Sequence, residues 1–394
     1  MSRYLEDKNL CCGCGACENV CPSTAITMQY DEEGFIYPKL NASKCTDCRA
    51  CERVCPAKTD SEREYADYLK TYAGYSTQKE IMENCASGGF ATALSNLILQ
   101  KDGVVFGVRY SEDFIKSEYF CATNQVELQQ LYSSKCVQSE KKDVYKLVKN
   151  TLKLGKTALF IGCPCDVAGL KLFLAKEYDN LYTVELVCMG VTSYKIAEEY
   201  KNYTEKKNKS KLVAINARSK KNGWFVPHLE ERFENSKVKI TPLFASYYGY
   251  GFQTYNRPSC YNCKYRDKNG VADFRIGDFW GIKDTDEFWN SKGVSCIFVR
   301  TEKGNDLLKD LRENEFELFE TDYRKATVSN MSSYKNKDEK YLLIREKFSK
   351  VFLKKGLVPA CKQTATLSFR LKRIIPKKMQ ASLKKIYHKF VDKK

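Results

Sequence analysis

Two cysteine runs near the N-terminus constrain the fold of this chain more than any other feature of its sequence. Each run reads C-x2-C-x2-C-x3-C-P. Three cysteines at this spacing bind three irons of one cubane, and the fourth, just before the proline, binds the other cluster of a two-cluster module. The runs therefore predict two 4Fe-4S clusters. One is expected to take Cys11, Cys14, Cys17 and Cys55, and the other Cys21, Cys45, Cys48 and Cys51.

The alternative at these runs is a pair of zinc sites, because zinc also binds paired cysteines. Zinc needs neither a third cysteine at i+6 nor a fourth before a proline, so the spacing favours iron and sulfide. Cys12 is left over as a free thiol. Between the runs, residues 25–40 are extended with a turn at 31–34, which is typical of a small ferredoxin hairpin. We therefore expect an α+β ferredoxin-like iron-sulfur module over residues 1–58, similar to bacterial ferredoxins.

Chain length and cysteine content indicate the class of the remainder. A chain of 394 residues predicts two or three domains. The N-terminus has charges where a signal peptide would be apolar, and the apolar stretches are far shorter than the ~20 residues of a membrane span. We therefore expect a cytoplasmic protein. In that compartment 19 cysteines are better explained by metal ligation than by disulfides.

The body of the chain begins after a polar linker at residues 59–71 and opens with a helix that has a small-residue start. Ser87, Gly88 and Gly89 precede a run whose apolar residues recur at helical spacing up to residue 100. The backbone N–H groups of such a start can bind a phosphate. A plain helix N-cap explains the same residues equally well.

Four further cysteines fall at related places in the body. Predicted strands at residues 157–161 and 181–187 precede Cys165 and Cys188. If these strands are parallel neighbours in an α/β sheet, both cysteines lie at the carboxyl edge, where such sheets bind ligands. The four cysteines then form either a third metal-binding set or a group of buried structural thiols. The set is completed by the pair Cys260 and Cys263.

Six segments of the body resemble the beta subunit of the coenzyme F-420 hydrogenases and dehydrogenases. They are residues 85–94 (CASGGFATAL), 133–139 (SSKCVQS), 161–171 (IGCPCDVAGLK), 185–190 (ELVCMG), 217–224 (ARSKKNGW) and 257–281 (RPSCYNCKYRDKNGVADFRIGDFWG). The resemblance implies a large α/β flavin-binding body, with an N-terminal-type domain at 72–150 and a C-terminal-type domain at 151–330. A ferredoxin module ahead of this body resembles F-420H2 dehydrogenase input subunits and bacterial relatives, some of them encoded beside polysaccharide-biosynthesis genes.

The same resemblance implies site residues. A flavin, FAD, is expected near Ser87, Gly88, Gly89, Ser134, Lys135, Gln138 and Asp278. A third 4Fe-4S cluster is expected on Cys165, Cys188, Cys260 and Cys263. The family has other residue types where Cys136 and Cys163 stand, so neither is expected to be a ligand. The remaining body cysteines are expected to be buried or incidental; they are Cys85, Cys121, Cys296 and Cys361.

The expected function is that of an iron-sulfur flavoprotein oxidoreductase. FAD exchanges a hydride with a donor or acceptor, reduced F-420 or a functional substitute, and the clusters carry the electrons singly. NAD(P)H, reduced ferredoxin and an unsaturated sugar or lipid intermediate stay open as partners, as does a role in polysaccharide biosynthesis. The alternative is a non-catalytic iron-sulfur module for electron transfer or assembly.

A basic tail at residues 331–394 holds much of the net charge of +17. Residues 366–394 contain ten Lys or Arg and one Asp. An amphipathic helix is predicted over 376–390, which suits the anionic inner face of a membrane, an acidic partner, or packing on the body. The body shows no recognition motif for nucleic acid, so no nucleic-acid partner is expected.

Overall fold

The computed structural model describes residues 7–59, 66–313, 316–330 and 338–365, together with Phe369. The N-terminal elements are α1 (Ala16–Val20), β1 (Ile26–Tyr30), β2 (Ile36–Leu40), α2 (Ala50–Arg53) and α3 (Pro56–Thr59). The strands β1 and β2 pair antiparallel, which confirms the hairpin predicted between the cysteine runs. Gly34 in its turn has φ 81°, a left-handed conformation that glycine adopts without strain.

The body contains twelve described strands and eleven described helices. The strands are β3 (Lys70–Ser76), β4 (Val104–Tyr110), β5 (Ser117–Ala122), β6 (Ser139–Glu140), β7 (Ala158–Gly162), β8 (Leu181–Leu186), β9 (Leu212–Ser219), β10 (His228–Phe233), β11 (Val238–Pro242), β12 (Phe274–Asp278), β13 (Ser295–Val299) and β14 (Phe316–Glu320). The helices are α4 (Lys79–Asn84), α5 (Phe90–Gln100), α6 (Gln125–Gln129), α7 (Val144–Lys153), α8 (Pro164–Leu174), α9 (Tyr194–Asn208), α10 (Tyr247–Thr254), α11 (Glu302–Glu313), α12 (Tyr323–Thr327), α13 (Glu339–Lys355) and α14 (Leu357–Thr364).

Nine of the described strands form one mixed sheet in the order β14-β3-β13-β12-β8-β7-β4-β5-β6. Its centre is parallel, since β12, β8, β7 and β4 run in the same direction. The strands at residues 104–140 therefore lie in the same sheet as those after residue 158, so the boundary predicted at residue 150 falls within one layer. The parallel centre fixes one carboxyl edge for the whole body.

Helices cover both faces of this sheet. Phe90, Leu94 and Leu97 of α5 are buried against one face, as their helical spacing predicts. The helices α7 and α8 cover the other face through residues such as Val148 and Leu170. Burying a side chain of this size stabilises a fold by roughly 1.5–3 kcal/mol, so the two faces provide the main core.

The ferredoxin-like module packs directly on the body. Ala16 and Val54 belong to the same hydrophobic cluster as the residues of α7 and α8. At the other side of the module, Glu33 forms an ion pair with Arg345 of α13. The module and the body therefore share a core and a polar contact, and the position of the module's cysteines relative to the sheet is defined.

A second layer, on the side of the module that carries Glu33, completes the described chain. The strands β9, β10 and β11 form an antiparallel sheet, and α9, α10, α13 and α14 pack beside it around Tyr248 and Phe348. The helix α13 ends at Gly356, which has φ 81°. The linker residues 60–65 and the amphipathic helix predicted at 376–390 lie outside the described residues. Among the described helices, none combines the length and apolar character of a membrane span.

Candidate redox sites

Four of the predicted ligand cysteines surround one cavity at the carboxyl edge of the sheet. The strands β7 and β8 are parallel neighbours, which meets the condition for Cys165 and Cys188 to share the carboxyl edge. Cys165 lies in the first turn of α8, just after β7, and Cys188 lies just after β8. Cys260 ends a short 3-10 helix, and Cys263 follows in the next loop. All four line a cavity of about 80 Å³, which is named the four-thiol cavity after these predicted ligands.

Two cysteines that the sequence did not predict for this place line the same cavity. Cys163 directly precedes α8, and its Sγ lies 3.9 Å from the Sγ of Cys188. Cys163 was not expected at this site because the family has another residue type at its position. Its place directly after β7 could have indicated that it lies at the carboxyl edge of the sheet. Cys12 also lines the cavity. No sequence signal points to Cys12, because its place depends on how the module docks.

The electrostatic environment of these thiols is set by burial and by the other thiols. Burial raises the pKa of Cys263 to about 12. In contrast, the hydrogen bond that pairs Cys188 with Cys163 lowers the pKa of the Cys188 thiol. Since metal ligands must be thiolates, binding a cluster here would release protons.

The thiols are arranged around a space and do not meet at a point. Among the described residues, no three or more His, Cys, Asp or Glu side chains converge as a single metal ion requires. In a cubane each thiolate binds a different iron, so the ligands stand around the cluster. The donor set and its arrangement therefore fit a 4Fe-4S cluster.

The first N-terminal thiol set surrounds a second cavity. Cys11, Cys14, Cys17 and Cys55 line a space of about 20 Å³. The structure thus brings together the four cysteines that the crossed ligation pattern assigns to one cluster. Gly13 and Gly15 have φ 69° and 78°, so the loop that carries the first three cysteines needs glycine at both positions.

Arg257 of the body reaches into this N-terminal site. Its guanidinium is fully buried, donates to the Cys11 carbonyl oxygen at 2.8 Å, and lies 3.5 Å from the Cys11 Sγ. It also stacks on the ring of Tyr37 at 3.8 Å. A buried cation beside a thiolate set stabilises its negative charge, and a cluster at this site adds further negative charge.

The second N-terminal thiol set lies at the surface of the module. Cys45 and Cys48 are exposed, whereas Cys21 and Cys51 are half-buried. Burial raises the pKa of Cys51, and the negative charge of Glu52 raises it further. One edge of this set faces solvent.

A longer cavity runs along the carboxyl edge of the parallel strands. It consists of two adjoining parts of about 290 and 430 Å³ that share residues of β8, β12 and the loop at residues 134–135. The start of α5 opens into the first part, and its N-cap Gly89 (φ 86°) supplies no capping side chain. The free N–H groups of this first turn can therefore bind a phosphate.

Five of the seven residues predicted to bind the flavin line this cavity. They are Ser87, Gly89, Ser134, Lys135 and Asp278. Lys135 Nζ donates to the Tyr132 carbonyl oxygen at 2.6 Å, and burial lowers its pKa to about 7. An anion bound beside this amine would hold it in its charged form.

The other two predicted residues lie elsewhere, for identifiable reasons. Gly88 packs between strands: a Cβ there would lie 2.2 Å from the Gly74 carbonyl oxygen and 2.6 Å from the Ser295 nitrogen. Gln138 contacts the ferredoxin-like module instead, where its Oε1 accepts from the Ile36 N–H at 2.9 Å. Docking of the module, which the sequence does not specify, draws Gln138 away from the cavity.

Arg218 and Trp280 also line this cavity. The guanidinium of Arg218 donates two hydrogen bonds to the Asp278 carboxylate, at 2.6 and 2.9 Å. The same carboxylate also accepts from Trp224 Nε1. Trp280 stacks on Trp224 with ring centroids 4.9 Å apart. The signal for Arg218 was its place in the segment 217–224. The network gives the cavity a fixed cation and an aromatic wall.

The three inner cavities adjoin one another in series. Cys163 and Cys188 line both the long cavity and the four-thiol cavity. Cys12 and Pro56 line both the four-thiol cavity and the first N-terminal site. Each site therefore shares lining residues with the next.

A polar cleft of about 1010 Å³ lies outside the long cavity. The two share the loop that contains Ser134 and Lys135. The cleft is lined by charged, amide and aromatic side chains, including Arg109, Glu118 and Phe114. It gives access from solvent to the wall of the long cavity.

The cysteine runs and two family matches indicate an iron-sulfur, electron-transfer oxidoreductase-like protein. Residues 10–59 match the 4Fe-4S dicluster domain, and residues 155–323 match the C-terminal part of the beta subunit of coenzyme F420 hydrogenase/dehydrogenase. These matches confirm the resemblance seen in the sequence, so this chain is related to the F420 hydrogenase beta subunits and has a dicluster domain ahead of that part.

One solved structure similar to this chain is a chain of the F420-reducing [NiFe] hydrogenase complex from Methanosarcina barkeri. The two are 20% identical, and the alignment covers 73% of this chain and 94% of the other, with a TM-score of 0.49. No match was found among curated proteins.

Proposed function

We propose that this chain is an iron-sulfur flavoprotein oxidoreductase that passes electrons from a hydride donor through FAD and three 4Fe-4S clusters. The observation that carries the proposal is the series of adjoining cavities, two of them lined by four or more cysteines. Cysteines that only pack in the core would not be expected to line adjoining cavities between a ligand cavity and the protein surface.

The residues of the long cavity suit a dinucleotide flavin. The first turn of α5, Lys135 and Arg218 provide positive charge for a diphosphate. Trp280 and Phe244 provide flat apolar surface for a ring system. Bound there, FAD would supply the conversion between a two-electron hydride and single electrons.

The positions of the thiol sites would then set the order in which single electrons pass from one cluster to the next. Cys188 and Cys163 stand at the wall nearest the flavin, and Cys12 stands at the wall toward the module. Cys45 and Cys48 bring the last site to the surface. The protein's part is to hold these sites at short range and keep water out of the inner ones.

The hydride donor is proposed to enter through the polar cleft beside Lys135. Reduced F-420 and NAD(P)H are the donors to test first, since the related beta subunits are named for F420. The half-buried amine at this loop can hold or release a proton near neutral pH as charge arrives.

The test is anaerobic reconstitution of the full chain with iron, sulfide and FAD. Three cubanes require about twelve irons per chain. Cys260→Ser should lose about four of them, because each cubane contains four irons. Cys121→Ser is the matched control, since Cys121 lines none of these cavities. Both variants should keep FAD and its reduction by the donor.

Two results would contradict the proposal. A chain that binds iron but no flavin would be a one-electron module without hydride chemistry. A chain that reaches about eight irons at most, with Cys260→Ser unchanged, would have structural thiols in the body, since each cubane contains four irons.

A further inference from the structure

The outermost thiol set is the one most open to solvent. Residues 41–49 form a continuous exposed stretch, and it contains both Cys45 and Cys48. Every cysteine of the other two predicted sets is buried or half-buried. A cluster held here would have one edge near the protein surface, where electrons can pass to another molecule over a short distance.

The charge around this edge is predominantly positive. Lys44 and Arg49 are exposed and adjoin the two cysteines in sequence. Arg53 is also exposed, and its Nη1 donates to the Cys48 carbonyl oxygen at 3.0 Å. Within residues 41–53, Asp47 is the one exposed acid, because Glu52 is half-buried and ion-paired with Lys58.

We propose that this face docks an acidic one-electron carrier protein. The inference rests on the proposed function, since it requires a cluster on the outer thiol set. Complementary charge steers association and orients two proteins even where the contact is small and short-lived, as electron-transfer contacts are. A negatively charged carrier brought to residues 44–53 meets the edge of the outermost cluster first.

The experiment compares two carriers of opposite charge on the reconstituted full chain. The probes are an acidic two-iron ferredoxin and a basic cytochrome c, and binding is measured at low and high ionic strength. The ferredoxin should bind more tightly than the cytochrome, and its affinity should fall with salt, because exposed charges are screened over ~10 Å at moderate ionic strength.

The charge-reversal variant Lys44→Glu/Arg49→Glu should weaken ferredoxin binding by about tenfold or more, since steering effects of this kind range from about ten to a thousandfold. Arg53 is left unchanged because it supports the Cys48 loop. The matched control is Lys206→Glu/Lys207→Glu, two exposed lysines at the last turn of α9. The control should bind the ferredoxin as the natural chain does.

Equal binding by both double variants would overturn the proposal, as would tighter binding of the cytochrome. Unchanged binding with a shifted cluster potential would overturn it too, because the cations would then act on the cluster alone. Iron and flavin content and reduction of an uncharged quinone are measured on every sample. A loss there marks a failure of the proposed function, whereas intact content with no ferredoxin binding marks a failure of the docking surface.

Discussion

Cys163 stands at the wall shared by the long cavity and the four-thiol cavity. Its Sγ lies 3.9 Å from the Sγ of Cys188 and accepts a hydrogen bond from it. Once Cys188 is a ligand thiolate without its proton, the Cys163 thiol becomes the donor of this pair. A donor to a ligand sulfur favours the more negative, reduced cluster. Removing a weak donor of about 1 kcal/mol corresponds to about 40 mV for one electron. Cys163→Val should therefore lower the potential of the body cluster by about that much in an anaerobic EPR titration.

The conservative variant separates this role from ligation. Cys163→Ser keeps a hydroxyl donor and should stay within about a third of the valine shift. Both variants should keep their iron. If either loses about four irons per chain, the content of one cubane, Cys163 is itself a ligand.

We expect the affinity for FAD to depend on pH because of Lys135. Burial lowers its pKa to about 7, so the amine is charged below that pH and increasingly neutral above it. An anionic flavin nucleotide prefers the charged amine. FAD affinity should therefore be greatest below about pH 7 and fall as the pH rises toward 9. Equilibrium binding followed by flavin fluorescence measures this directly.

Lys135→Met should bind FAD more weakly at pH 6 and lose the decline with pH. Lys135→Arg should keep its charge and stay flat across the same range, because guanidinium remains protonated. A natural chain whose FAD affinity does not vary between pH 6 and pH 9 would show that Lys135 does not face the nucleotide.

At the scale of elements, local sequence patterns predicted the positions of single strands and helices. The strands that precede Cys165 and Cys188 and the helix that starts after Gly89 are where the sequence put them, because apolar periodicity and small residues act over a few positions. Gln138 contacts the ferredoxin-like module, and Cys12, which the sequence left as a free thiol, lines the four-thiol cavity. Both positions depend on docking of one folded part on another, which no local pattern encodes.

Arg257 links three separate segments of the chain, and this contact is testable. Besides Cys11, it donates to the Ile36 carbonyl oxygen at 2.8 Å and to Gln138 Oε1 at 3.1 Å. Arg257→Met removes a buried cation and a charged donor worth about 1.5–3 kcal/mol. The potential of the first N-terminal cluster should fall by about 60 mV or more, because 59 mV corresponds to about 1.4 kcal/mol for one electron.

The same change should loosen the module on the body. Limited proteolysis between residues 59 and 71 should become faster in Arg257→Met. Arg312→Met is a suitable control, because Arg312 is an exposed arginine at the end of α11. An unchanged potential and unchanged proteolysis in Arg257→Met would mean that the hydrophobic contacts of Ala16 and Val54 suffice for docking.

At the scale of the whole molecule, the sheet and the module act as one unit. The parallel centre of the sheet collects the long cavity and the four-thiol cavity at one edge, and the shared core under α8 fixes the module beside them. Motifs in the sequence predicted the chemistry of each site. The order of the cavities in space follows from packing between parts far apart in the chain.

Charge is also distributed unevenly over the whole chain, and this gives the last prediction. Residues 366–394 carry ten Lys or Arg and one Asp. Near an anionic membrane each such cation contributes about 1 kcal/mol, and salt screens this attraction. Deleting residues 366–394 should therefore abolish cosedimentation with vesicles rich in phosphatidylserine at low salt. The full chain should bind them at low salt and release them at high salt, and neutral vesicles should bind neither form.

Cofactor content provides the control for this deletion. The described cysteines and the long cavity all lie before residue 366, so the shortened chain should keep its iron, its flavin and its reaction with the donor. Replacing the six lysines at 377, 378, 384, 385, 389 and 393 by glutamine in the full chain should reproduce the loss of vesicle binding, because the attraction depends on their charge. If the glutamine variant still binds anionic vesicles while the deletion does not, apolar contact is the source of binding. If both still bind, the membrane-facing surface lies in the body of the protein.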